Sequence, residues 1–202
     1  RPRHKPSAPP PDPVHPVKTA FFTETFLPKV DGSVTRLTKT VRHLVEAGDE
    51  VIVFCPEGCP DEYMGARLIG VPAMPLPLYP ELKLALPRPA VSDAIDSFQP
   101  DLIHVVNPAV LGLGGIWLAK NKSIPLIASY PTHLPKYLEH SGMGMLEPLL
   151  WELLKAAHNQ ALLNLCTSTA MVQELSDKGI QNTDLWQRGV DTDLFRPELR
   201  SD

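Results

Sequence analysis

The chain has 202 residues, 43% apolar and 21% charged, with 19 basic and 23 acidic side chains giving a net charge of −4. This is enough apolar material for one large domain or two small ones, and nothing in it points to a fibrous or membrane-spanning protein. The acidic balance gives no electrostatic reason to expect nucleic acid as a partner, because such binding needs a basic face.

Residues 1–16 carry seven prolines and few apolar side chains, Val14 being the exception. They cannot bury enough surface to offset the cost of ordering, so they read as a disordered segment, either the remnant of a transit peptide or an upstream linker. The first residue is Arg1 rather than Met, as in a fragment or a processed chain.

Residues 17–22 are a short run of strand formers, followed by a loop and then by Val34, Leu37, Val41, Leu44 and Val45 at helical spacing up to Ala47 and Gly48. The loop between them belongs at the carboxyl end of a parallel strand, where ligands of open α/β sheets gather. A helix starting at Gly32 with Asp31 or Ser33 as its cap has two readings: a capped turn, or an anion site on free backbone N–H groups.

A second strand covers 50–54 and a third 66–71. Cys55 and Cys59 form a C-x3-C pair without a second ligand pair at zinc spacing, and Cys166 makes the set odd. No metal site and no disulfide framework follow, and a reducing compartment is favoured.

Residues 72–89 hold six prolines among leucines. Proline this dense forbids a regular helix or a central strand and predicts a long ordered loop, whose leucines either cover the sheet edge or touch lipid.

A helix over 89–98 leads to a strand over 102–106. The stretch 102–119 lacks Asp, Glu, Lys and Arg, but His104 and the break at Asn107 and Pro108 split it into a buried strand and a glycine-rich helix. Gly112, Gly114 and Gly115 lack the spacing of a dinucleotide motif and read as close helix-to-sheet packing. Further strands are predicted at 125–130, 164–167 and 183–187, with helices at 146–163 and 169–178. Leu149, Leu150, Leu153, Leu154 and Ala157 make a broad apolar face on the first of these helices. Strand and helix alternate about six times along the sequence. The fold class is therefore α/β, a Rossmann-like parallel sheet with helices on both faces.

Three loops should meet at the carboxyl edge: 24–33, the Asn107 turn, and 130–141. They carry Glu24, Lys29, Asp31, Gly32, Asn107, His133, Lys136, Tyr137 and His140, a set suited to a substrate bearing phosphate or hydroxyl groups. His133 is the candidate proton-handling or hydrogen-bonding residue. His104 reads as a satisfied core residue, and His43 and His158 as solvated or packed.

Four segments resemble the N-terminal half of glycosyltransferase family 4: Phe-Thr-Glu-Thr-Phe-Leu-Pro-Lys-Val-Asp-Gly at 22–32, Pro-Asp-Leu-Ile-His-Val-Val-Asn-Pro at 100–108, Ser-Tyr-Pro-Thr-His-Leu-Pro-Lys-Tyr at 129–137, and Arg-Gly-Val-Asp-Thr-Asp-Leu-Phe-Arg-Pro at 188–197. Within that family, residues 150–161 and 164–175 are similar to the sulfolipid-forming transferases of cyanobacteria and plastids. The resemblance implies the N-terminal half of a GT-B fold, with an acceptor-side domain over 17–187. The start of a linker at 188–202 would lead to a donor-binding domain that this chain does not include. The implied reaction is retaining transfer of sulfoquinovose from UDP-sulfoquinovose to diacylglycerol, without a cofactor. It also implies a peripheral location, on the cytoplasmic face of a cyanobacterial membrane or on a plastid membrane.

By the same resemblance the glycine loop at Gly32 approaches the donor diphosphate, and His133 matches the second histidine of a family Ser-Tyr-His-Thr-His motif. Pro131 stands where relatives carry the first, which contacts the reacting sugar. Transfer by this chain alone is expected to be undetectable, since the implied donor half supplies the proximity on which such a cleft depends. Two alternatives stay open: another family 4 lipid transferase, mannosyl or glucosyl, and a non-enzymatic α/β module that binds a phosphate-bearing ligand.

Overall fold

The computed structural model describes residues 15–76, 79–85, 88–131, 133, 135, 144–186 and 189, with side chains placed outside 75–84. Residues 1–14 of the predicted disordered segment, the predicted linker apart from Gly189, the leucine side chains of the proline-rich stretch, and Lys136, Tyr137 and His140 lie outside what it describes.

The strands are β1 (Lys18–Phe22), β2 (Glu50–Pro56), β3 (Glu62–Tyr63), β4 (Ala66–Val71), β5 (Ala73–Leu76), β6 (Tyr79–Ala85), β7 (Leu102–Val105), β8 (Leu126–Tyr130), β9 (Leu163–Cys166) and β10 (Thr183–Leu185). The helices are α1 (Gly32–Glu46), α2 (Pro89–Phe98), α3 (Val110–Lys122), α4 (Glu147–His158) and α5 (Thr169–Asp177), with a 3-10 turn at Gly144–Leu146 before α4. Eight strands form one sheet in the order β10-β9-β8-β7-β1-β2-β4-β3. Every pairing in it is parallel except β3 with β4.

Beyond Lys18, Thr19 and Glu50 at their starts, β1 and β2 carry no polar side chains, because both of their faces are covered. Phe22, Ile52 and Phe54 join one apolar cluster with Val91 and Ile95 of α2 and Leu111 and Ile116 of α3. Phe21, Val51 and Val53 join another with Leu37 and Val41 of α1. A third cluster, around Tyr130 and Cys166, takes Trp151 and Leu154 of α4 and Leu175 of α5.

Gly112 and Gly115 of α3 act as the sequence predicts. A Cβ on Gly115 would lie 2.7 Å from the Phe22 ring, and one on Gly112 would collide with the Asn107 carbonyl oxygen. Without those side chains the helix can press onto the sheet.

Three expectations change. First, the predicted loop over 72–89 contains the two-stranded β5–β6 ribbon, antiparallel and separate from the main sheet. Each ribbon strand has one unpaired edge, so a proline that donates no hydrogen bond is tolerated there though not in a central strand. Second, an edge strand that the sequence reading does not anticipate, β3, leads into β4 through the two-residue turn Met64-Gly65, with φ values of 53° and 93°. Two positive φ values give a hairpin turn whose twist matches the strands.

Third, the helix predicted over 146–163 stops at His158, and Leu163 already belongs to β9. Asn159 fixes the stop by donating to the Gly179 carbonyl and accepting from Gln181 N. The buried face of α4 is Trp151, Leu154, Ala157 and His158, whereas Leu149 and Leu153 are 60% and 59% exposed. Its apolar ring is wider than the groove it packs into, so part of it faces outward.

Candidate active site

β1 lies between β2 and β7, and all three run parallel, so the strand order reverses beside β1. The loops leaving β1 and β7 diverge there and open a crevice at the carboxyl edge. β8 is the next strand out, which brings Pro131, the residue that follows it, to the same edge. The three predicted loops therefore converge, as far as they are described.

Glu24 is 7% exposed and reaches across to α3. Its Oε1 accepts from Leu111 N at 2.7 Å and from Gly112 N at 3.0 Å. The helix has no side-chain cap of its own at Ala109, so a carboxylate from another loop satisfies N–H groups that would otherwise be orphaned. Burial pushes the Glu24 carboxyl up to about 7, against the opposing pull of these two N–H donors. Among the described residues, Glu24 Oε2 and Asn107 Oδ1 are buried without a hydrogen-bond partner, so two unmatched acceptors flank the start of α3.

Asp31 caps α1. Its Oδ1 accepts from Ser33 N and Val34 N, both at 2.9 Å, and its Oδ2 lies 3.8 Å from Lys29 Nζ. Of the two readings of this loop the geometry contains the capped turn, and it occupies two of the N–H groups on which an anion would rest. Space beside Gly32 is open, with nothing within 4 Å of where its Cβ would lie. Between this loop and the turn after β2 lies a cavity of about 190 Å³, lined by Glu24, Phe26, Lys29, Glu57 and Cys59 among others.

His133 is held rather than free. Its Nε2 lies 2.8 Å from Glu174 Oε1 of α5, its side chain is 14% exposed, and its ring meets Tyr130 and Trp151 edge-on. Glu174 is 41 positions further along the chain, and no sequence signal joins it to His133.

His104 is the satisfied core residue predicted from sequence. Its Nε2 lies 2.6 Å from Ser129 Oγ, and burial lowers its pKa to about 4. Its ring faces Phe21 and Trp186, with the Arg36 guanidinium 4.9 Å from the Trp186 ring and donating to the Trp186 carbonyl. That stack, absent from the sequence reading, ties the chain leaving β10 to α1.

His158 is fully buried, with Nδ1 2.7 Å from Asn164 Oδ1. Asn164 Nδ2 donates to the carbonyls of His158 and Gln181, which leaves its Oδ1 to accept from the ring. Burial lowers the His158 pKa, opposed by this hydrogen bond. Among the described residues no three His, Cys, Asp or Glu side chains cluster as a metal site, and no helix is long and apolar enough to cross a membrane.

Residues 30–194 match the model of Glycosyltransferase Family 4. The chain is 36% identical to the sulfoquinovosyl transferase SQD2 of Arabidopsis thaliana, over 92% of this chain and 38% of that protein. It is 32% identical to a GDP-mannose-dependent alpha-mannosyltransferase of Corynebacterium glutamicum, over 93% of this chain and 47% of that one. The chain thus spans less than half the length of either relative. A sucrose-phosphate synthase from Thermosynechococcus elongatus superposes with a TM-score of 0.62 at 18% identity, covering 90% of this chain and 50% of its own.

Proposed function

The chain belongs to glycosyltransferase family 4, and from that premise we propose that it forms the acceptor-side half of a retaining GT-B transferase that moves sulfoquinovose from UDP-sulfoquinovose to diacylglycerol. The observation that carries this reading is the 36% identity to a sulfoquinovosyl transferase over 92% of the chain. The family is one of glycosyltransferases; the donor, the acceptor and the membrane are the proposal.

In this reading the donor diphosphate approaches the open side of Gly32, where the remaining helix N–H groups and Lys29 meet its charge as the anomeric carbon becomes positive. Asp31 already neutralises part of that helix end, so the diphosphate needs further cations from a facing domain reached through residues 188–202. This favours half of a cleft over a self-sufficient phosphate-binding module. The family resemblance assigns Asn107, Lys136 and Tyr137 to the acceptor side, the last two lying outside the described residues. His133, paired with Glu174, is a hydrogen-bonding group at the edge of the cleft. By the family resemblance Pro131 stands where a histidine would contact the sugar, so in this reading the contact to the reacting ring falls to neighbouring groups.

A peripheral position on a plastid or cyanobacterial cytoplasmic membrane fits the outward stripe Met145, Leu146, Leu149 and Leu153, which are 94%, 49%, 60% and 59% exposed at helical spacing. Glu147 and Glu152 sit among them, so such a contact is apolar rather than a basic patch on anionic lipid.

The second reading is mannosyl transfer, supported by the 32% identity to a GDP-mannose-dependent enzyme. A donor screen of the full-length protein on diacylglycerol vesicles separates the two. Lipid product from UDP-sulfoquinovose and none from GDP-mannose is the expected result, and the reverse pattern would replace the sulfolipid reading with the mannosyl one.

A further inference from the structure

The geometry points to Cys55 and Cys59 as a reversible dithiol–disulfide site, with Cys59 as the entry thiol and Cys55 as the resolving one. β2 delivers Cys55 to the carboxyl edge, fully buried, with its Sγ 3.9 Å from the Ile69 carbonyl of β4. The chain then reverses through Gly58, at a φ of +94°, a value few L-residues adopt. The reversal is tied down by Glu57 N donating to the Val71 carbonyl at 2.9 Å.

Cys59 folds back over Gly70, the residue that pairs with Cys55 across the parallel ladder. Its Sγ is 3.6 Å from where a Gly70 Cβ would lie. The two sulfurs therefore rest against consecutive residues of β4, Ile69 and Gly70, on the same face of the sheet and in the same apolar cluster. After burial, the Cys59 thiol is the neighbour that pushes the Cys55 thiol up.

Their surroundings divide the labour. Cys55 is enclosed and reluctant to ionise, whereas Cys59 is half-buried and lines the cavity that also holds Glu24 and Lys29. A small disulfide oxidant, of the glutathione class, meets Cys59 first. The Cys59 thiolate attacks one sulfur of the oxidant, the S–S bond of the oxidant breaks, and one thiol leaves with a proton. Cys55 then loses its proton and attacks the Cys59 sulfur of the mixed disulfide, which expels the second thiol. Two protein thiols have given up two electrons and two protons, and the oxidant has become two thiols. The closed ring spans only residues 55–59, so it stabilises the fold little and is easily reopened. In a reducing compartment the dithiol is the resting form. The bond would draw one wall of the cavity toward the sheet, whichever sugar the enzyme transfers.

The test is to incubate the purified chain with oxidised glutathione, alkylate the remaining thiols and map the peptides by mass spectrometry. Wild type and Cys166→Ser are expected to yield a Cys55–Cys59 linked pair that dithiothreitol reopens. Cys55→Ser should stop at a mixed disulfide on Cys59, and Cys59→Ser should react on the order of tenfold more slowly, because its remaining thiols are buried. A wild-type chain that accumulates only the glutathione adduct on Cys59 would overturn the assignment, as would a Cys59→Ser chain that reacts as fast as wild type. The wild-type and Cys166→Ser maps decide the matter even if a serine variant of the pair fails to fold.

Discussion

The N-termini of α1 and α3 sit at the same sheet edge and pose the same problem, a set of backbone N–H groups with no intrahelical partner. α1 solves it locally: Asp31, the residue immediately before the helix, caps it with a carboxylate whose side chain is 35% exposed. α3 solves it at a distance, with Glu24 from the loop after β1, buried and raised to about 7. The local cap is a near-surface ornament of one helix. The remote one fastens two segments 87 positions apart and places a carboxyl where its ionisation is coupled to the fold.

Replacing the remote cap should have the largest effect. Glu24→Ala leaves two buried N–H groups unpaired and is expected to cost about 4 kcal/mol, at roughly 2 kcal/mol for each orphaned donor, read as a lower urea midpoint.

Next comes the pH dependence. A carboxyl raised from 4.5 to about 7 on folding binds its proton more tightly in the native state. Its contribution is therefore fully present below pH 4.5 and is lost as the pH rises through about 7. Glu24→Gln cannot lose it, so the stability of wild type relative to Glu24→Gln should fall by about 3 kcal/mol over that window in urea melts at stepped pH. His104 works in the opposite sense, because its folded value near 4 lies below the usual 6.5 and its contribution grows as the pH rises between them. Buried His158, whose pKa is also lowered, acts in the same sense as His104, so Glu24→Gln should become more stable with rising pH and do so more steeply than wild type, where Glu24 opposes the two histidines. A wild-type and a Glu24→Gln profile of the same slope would show that Glu24 does not titrate in this range.

The local cap should matter less. Asp31→Ala is expected to cost about 1 kcal/mol in the same assay, and Asp31→Asn only a fraction of that, since an amide oxygen can still accept from Ser33 and Val34. Smallest of all is Lys29→Ala: its 3.8 Å pair with Asp31 joins two solvent-reached side chains and should contribute under about 0.5 kcal/mol. If Asp31→Ala proved as damaging as Glu24→Ala, the contrast between the two helix ends would collapse.

The same contrast separates what could be read along the chain from what could not. The local cap was legible because Asp31, Gly32 and the apolar positions of α1 are neighbours in sequence. The remote cap was half legible: Glu24 was singled out as a polar group at the crevice, but its attachment to α3 depends on two loops meeting. His104 was recognisable as a core residue because it interrupts an apolar strand, yet its partners Ser129 and Trp186 come from elsewhere. Nothing in the sequence paired His133 with Glu174. The hairpin at Met64 was hidden for a different reason, since methionine is not a residue that advertises a positive φ. The proline-rich stretch misled because proline bars a central strand but not a ribbon with free edges.

By itself the sequence determined the alternating α/β order, the covering of the central strands on both faces, the glycine-lined approach of α3 and the family resemblance. Each of these depends on spacing along the chain, and a period of two or of 3.6 is local information. Only the tertiary structure decided which acceptor meets which donor: that Glu24 belongs to α3, that His133 belongs to α5, and that Cys59 folds back beside Cys55. Those contacts arise where strands from distant parts of the chain end side by side, and their distances and burial set the chemistry that the residue types alone leave open.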